Sequence, residues 1–159
     1  MGTTRPILFA TDGSPSAEQA QKEALELAQR LDAPLVVVSV VHAAVPAVGY
    51  AGYGYANIVA ELTEAEHQRV NALLGSVAEI AEESAVHCTT VAVDGFAVEE
   101  ICRKASEYDA QLIVVCSHGW GAARRLLSGS VSTGLVHSAP CPVLVVRPRE
   151  QPVARAVAA

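Results

Sequence analysis

The sequence predicts an α/β protein, a five-stranded parallel sheet with helices on both faces. Three observations lead there. Short apolar runs alternate with helical stripes along the 159 residues, in the order β-α-β-α-β-α-β-α-β. Residues 35–41 (LVVVSVV) are almost continuous in β-branched side chains, as in a strand covered on both faces. Strand-like runs end in polar, glycine-bearing turns at Asp12-Gly13, Gly95 and Gly119, where such sheets place their connections.

The first strand is expected over residues 7–11, stopped by Asp12-Gly13. Ser14 is expected to cap the first helix, with Pro15 at its first position. Ala17, Ala20, Ala24, Leu27, Ala28 and Leu31 then recur at three- and four-residue spacing, giving one buried face until Asp32-Ala33-Pro34 breaks it. Residues 43–55 are rich in Gly, Ala, Tyr and Pro without periodicity, and read as a mobile segment or a cover over a site. Tyr50, Tyr53 and Tyr55 could then fold over a ligand.

A long helix is expected to begin about eight residues later. Leu62, Ala65, Arg69, Val70, Leu73, Leu74, Val77, Ile80 and Ala81 form its inner stripe, and glutamates at 61, 64, 66, 79, 82 and 83 its wet face. Residues 87–94 form the third strand, 98–108 the third helix and 111–116 the fourth strand. A short helix over 131–138 and a last strand over 143–147 follow. Residues 1–147 are thus expected to be a single domain, and 148–159 (PREQPVARAVAA) a flexible tail.

With 51% hydrophobic and 18% charged residues the chain can bury a core. A net charge of −6 argues against a nucleic-acid partner, which would ask for a basic face. The apolar run at 7–10 is too short for a signal-peptide core, and no run is long enough to cross a bilayer, so a cytoplasmic protein without a membrane partner is expected. Cys88, Cys102, Cys116 and Cys141 form no CxxC pair and are expected to be reduced thiols. His42, His67, His87 and His137 show no metal-ligand spacing, so no metal site is expected.

Residues 112–132 (LIVVCSHGWGAARRLLSGSVS) hold the densest chemistry. A strand ends in a glycine-rich turn, a basic pair follows at Arg124 and Arg125, and Gly129 and Ser130 open a helix. That arrangement suits an anion, because glycines admit close backbone approach and a helix start offers free N–H groups. It is neither a GxxxxGK[ST] loop nor a GxGxxG fingerprint, since position 124 is Arg. By spacing alone it could equally be a plain strand-to-helix connection. Likewise Asp12 by itself reads as a turn residue, Arg124 and Arg125 as solvated charges, and His118 as a structural turn residue with no nucleophile arranged beside it.

One further pattern narrows the reading. Ser117-His118-Gly119, nine residues, Gly129-Ser130-Val131-Ser132 and then APCPVLVVRP resemble the universal stress protein family, whose nucleotide loop is G-x-x-G, nine residues, G-[S/T]. ILFATDGSPSA near the start and VDGFAVEEI at 93–101 extend the resemblance over residues 5–147. It implies an adenine nucleotide alpha hydrolase-like fold with strand order 3-2-1-4-5, and ATP, with or without Mg2+, bound between the ends of strands 1, 2 and 4. In that placement Asp12 approaches the adenine–ribose region or a metal, and Val40 and Val115 line the adenine. Gly119, Gly129, Ser130 and Ser132 surround the phosphates, and Cys116 and Val131 complete the set.

The family's first loop glycine falls on Cys116. Its side chain either crowds the ribose or phosphate or points aside, and Cys116→Gly is expected to tighten ATP binding, because the backbone could then approach the ligand more closely. The resemblance further implies a non-enzymatic, nucleotide-linked stress-response regulator, a homodimer paired through the last strand over 143–146, and a downstream protein partner of unknown identity. Two rival readings stand beside it: a dimeric interaction module that binds no nucleotide, and a weak ATPase. Adenylyl-transfer loops of the HxGH or SGGxDS kind are absent from the sequence.

Overall fold

Strand β1 (Ile7–Ala10) lies at the centre of the sheet, and all four of its residues are buried. The computed structural model describes residues 4–41, 55–117 and 130–147. After β1 come α1 (Ala17–Leu31), β2 (Leu35–Val41), α2 (Tyr55–Glu83), β3 (Cys88–Asp94), α3 (Ala97–Glu107), β4 (Leu112–Cys116), α4 (Ser130–Ser138) and β5 (Val143–Val146). The strands form one sheet in the order β3-β2-β1-β4-β5, and every neighbouring pair is parallel. This is the predicted fold class and strand order.

Side-chain alternation along the strands divides the core in two. Ile7, Phe9, Val37, Val41 and Val114 face α1 and α2, where Ala20, Ala24, Val70, Leu74 and Val77 meet them. Leu8, Ala10, Val38, Val40 and Val115 face α3 and α4, against Ile101, Ala105 and Leu135. Each large side chain fully removed from water contributes roughly 1.5–3 kcal/mol before conformational entropy is charged against it. All seven residues of β2 are buried, which explains its unbroken apolar run.

Four local expectations change. Ser14 is not the helix cap: α1 starts at Ala17 behind Ser16, and no side chain caps it. Instead the Ala17 amide donates to the Ser14 carbonyl oxygen at 2.9 Å, closing a turn before the helix. The long helix begins earlier than expected, at Tyr55. Its inner stripe is also narrower: Val70, Leu74, Val77 and Ala81 are buried, whereas Leu62 is 56% and Ile80 40% exposed. Arg69, expected on that stripe, lies at its polar border, and Leu31 of α1 is exposed as well.

Close packing also sets the position of α4. A Cβ added at Gly134 would lie 2.7 Å from Val98 Cγ2 on α3, so only glycine lets the two helices approach this far. Val131 and Leu135 then pack on the α3 side of the sheet, in the cluster that holds Val115 of β4.

Candidate functional site

The register leaves a notch at the carboxyl end of the central strand. β1 ends at Ala10, paired with Val38 of β2 and Val115 of β4. β2 continues to Val41 and β4 to Cys116, so β1 stops short between two longer neighbours. Chain leaving β1 enters α1 on one face, and α4, downstream of β4, lies on the other. Strand order reverses at this point, where sheets of this kind hold ligands.

The Asp12 turn occupies the notch. The Thr11 amide still donates to the Val38 carbonyl oxygen at 3.0 Å, and the chain then bends sharply at Gly13, whose φ is 73°. The Gly13 amide donates to Thr11 Oγ1 at 3.2 Å, and the Ser14 amide to Asp12 Oδ1 at 3.0 Å. The second bond is an Asx turn, in which the carboxylate replaces a backbone acceptor two residues back. Ser14 itself is only 3% exposed, and its hydroxyl has no hydrogen-bond partner among the described residues. The hydroxyl of Ser39, 1% exposed on the neighbouring strand, is likewise unpaired there. Buried hydroxyls are usually hydrogen-bonded, so each has capacity for a further polar contact.

Helix α2 braces the turn from outside. Arg69 Nη1 donates to the Asp12 carbonyl oxygen at 3.2 Å. The same guanidinium is held by Glu66, with Nε to Oε2 at 2.8 Å and Nη2 to Oε1 at 2.7 Å. The Glu66 hydrogen bonds push the Arg69 guanidinium up from its ordinary value; burial opposes this, and the Glu66 and Asp12 charges add to the rise. Two residues earlier, His67 Nε2 lies 3.0 Å from Asp94 Oδ1 at the end of β3. The sequence reading missed Arg69 and Glu66. A Glu–Arg pair at i,i+3 looks like any surface pair on a helix, and nothing local links it to Asp12, 57 residues from Arg69.

Of the residues singled out in the sequence, Val40, Val115 and Val131 meet in one apolar cluster on the α3–α4 side. Asp12 is half-buried at the mouth of the notch, and Ser132, buried in the first turn of α4, lies beyond the end of β4 in sequence. Cys116 belongs to the opposite cluster: its thiol donates to the Ser16 carbonyl oxygen at 2.9 Å, just before α1. Its side chain thus turns to the α1 side of the sheet, away from the Val40–Val115–Val131 cluster. Gly119, Gly129, His118, Arg124, Arg125, Tyr50 and Tyr53 lie outside the described residues. Ser130 begins α4. No group of three or more His, Cys, Asp or Glu side chains able to hold a metal occurs among the described residues. No described helix is long and apolar enough to cross a membrane.

Comparison with known proteins agrees with this architecture. The sequence profile of the universal stress protein family matches residues 3–147. Universal stress protein MJ0531 of Methanocaldococcus jannaschii is 34% identical over 143 residues, covering 90% of this chain and 82% of its own. The structure of universal stress protein UspA from Lactobacillus plantarum superposes with a TM-score of 0.77 at 26% identity, over 92% of this chain and 100% of that one. A structure of the universal stress protein from Archaeoglobus fulgidus in complex with dAMP shares the fold, with a TM-score of 0.59 at 22% identity, over 91% and 98% of the two chains. The sheet order, the helices on its two faces and the profile spanning residues 3–147 lead to one conclusion: the chain belongs to the universal stress protein family, with an adenine nucleotide alpha hydrolase-like fold.

Proposed function

We propose that this protein binds ATP in the notch between the ends of β1, β2 and β4 and acts as a nucleotide-linked regulator, not as an enzyme. The observation that carries the reading is the short central strand, with Asp12 at its end between the longer β2 and β4. Val40, Val115 and Val131 offer an apolar wall for a base, and the start of α4 offers amides for phosphate. The orphaned Ser14 hydroxyl is a polar group that a ligand would complete. That a relative of the same fold is known in complex with dAMP supports an adenine nucleotide as the ligand class.

In this reading Asp12 contacts the ribose or a metal, and Gly119, Gly129, Ser130 and Ser132 enclose the phosphates. The described residues form no cage of three metal ligands, so Mg2+ would arrive on the nucleotide's own phosphates, with Asp12 as the candidate carboxylate. The Asp12 carboxylate at the notch is already engaged by the Ser14 amide, and hydrolysis is expected to be slow. We further propose a cytoplasmic homodimer of a single 1–147 domain, with 148–159 as a tail. The exposed Leu144 on edge strand β5, and exposed Val136 on α4, support pairing through that edge. Light scattering that returns a monomer would remove the dimer from this account.

The substitution of the family's loop glycine by Cys116 is the one observation favouring the rival reading, an interaction module that binds no nucleotide. Mass spectrometry of native protein purified without added nucleotide, followed by ATP titration, separates the two. Retained or titratable ATP supports the proposal; none at millimolar concentration supports the module.

A further inference from the structure

The Asp12 turn is held by two bonds of its own and is braced from outside by α2. Two contacts reach it from that helix, and a third pair holds one of them in place. Arg69 donates to the Asp12 carbonyl oxygen at 3.2 Å. Leu73 closes over Gly13, where an added Cβ would stand 2.9 Å from Leu73 Cδ2 and 3.4 Å from Arg69 Nη1. Glu66 grips the guanidinium with two bonds, so Arg69 reaches the turn in one fixed geometry instead of sweeping through solvent. His67 makes a second foothold for the same stretch of helix on Asp94 at the end of β3.

We infer that Arg69 is a positioning residue for the nucleotide notch: by holding the Asp12 carbonyl, and held in turn by Glu66, it fixes the orientation of the Asp12 carboxylate toward the ligand. The inference rests on the nucleotide reading above. The physical argument is short. The carboxylate orientation depends on the backbone angles of the Asp12–Ser14 turn, whose own bonds, Gly13 amide to Thr11 Oγ1 and Ser14 amide to Asp12 Oδ1, leave the Asp12 carbonyl to be held from α2. A charged donor on the Asp12 carbonyl restrains the peptide plane that follows Asp12, and the tight Leu73 contact restrains the next residue. Preorganisation of this kind shows up as affinity, because an ordered site has less to order on binding. It also links α2 to the occupancy of the notch.

The test is ATP binding by calorimetry and backbone amide exchange of the unliganded protein, on wild type, Arg69→Gln, Arg69→Lys, Glu66→Gln and the Glu66→Gln/Arg69→Gln pair. Arg103→Gln serves as the control, because it breaks a similar i,i+3 pair with Glu100 on α3. We expect Arg69→Gln to weaken ATP binding about three- to tenfold and to speed exchange of the Ser14 amide. Glu66→Gln should do less, Arg69→Lys should restore part of the loss, and the double variant should be no worse than Arg69→Gln alone. Simple destabilisation would give additive losses without rescue by Lys, and that result overturns the inference. Wild type that binds ATP while every Arg69 and Glu66 variant binds equally well, with unchanged Ser14 exchange, overturns it too. Wild type that binds no adenine nucleotide removes the nucleotide reading and this inference together.

Discussion

The thiol of Cys116, at the end of β4, donates to the carbonyl oxygen of Ser16 at 2.9 Å, tying the strand that precedes the glycine loop to the start of α1. The residue that departs from the family pattern therefore packs into the core on the α1 face. Cys116→Gly should lower stability by about 1–2 kcal/mol, through a lost buried side chain and a more flexible strand end. ATP affinity should stay unchanged, and denaturant unfolding alongside calorimetry checks both halves. Tighter binding by the glycine variant would show that the side chain obstructs the ligand after all, as one of the two sequence-based alternatives held.

Asp12 has two separable jobs, and two substitutions separate them. Asp12→Asn keeps an oxygen that can accept the Ser14 amide, so the turn should survive while the charge is lost. Asp12→Ala removes the acceptor as well, and should cost about 0.5–1.5 kcal/mol of stability. Both should weaken ATP binding, but only the alanine variant should unfold at lower denaturant. Equal stability losses for the two would mean that the Asx bond contributes nothing to the fold.

The packing of α4 on α3 leaves no room at Gly134. Gly134→Ala should cost about 1–3 kcal/mol by overpacking against Val98. Val98→Ala in the same chain should recover part of it, a non-additivity expected only of residues in contact. Thermal melts of the two single variants and the double variant measure the coupling, and strictly additive losses would contradict the contact.

Burial pushes the thiols of Cys88, Cys102 and Cys141 up; nearby Arg5 opposes the rise at Cys141. The folded chain therefore keeps these protons longer than the unfolded chain does. Stability should be unaffected below the ordinary thiol range and should fall as pH rises through it toward the raised folded values. Denaturant midpoints measured from neutral to alkaline pH should slope downward. The slope should flatten when all three cysteines are replaced by alanine, and an unchanged slope would assign the effect to other groups.

Much of this structure is written locally in the chain. The β-branched run of β2 and the Val70–Leu74–Val77–Ala81 stripe of α2 were legible because periodicity and burial agree. Where they disagree, the reading slipped. The first turns of α2 carry Ile58 and Leu62 outward, so no inward stripe marked the helix start. Ser14 looked like a cap, but Asp12 takes its amide in an Asx turn and the helix waits until Ala17. Asp12 was singled out through the family resemblance, and its turn is where the resemblance puts it, at the end of the first strand. Its brace by Arg69 was not legible, because a contact across 57 residues leaves no trace in spacing. The orientation of Cys116 was undecidable from sequence for the same reason, since its partner Ser16 lies 100 residues away.

The most direct measurement is an ATP titration of the purified chain by calorimetry, with and without magnesium, on wild type and on Asp12→Asn. Binding in the notch predicts a saturable heat with one ATP per chain and a Kd tighter than about 1 mM, weakened by the Asp12 substitution. No saturable heat at millimolar ATP, or binding indifferent to Asp12, would contradict the assignment of this notch as the nucleotide site.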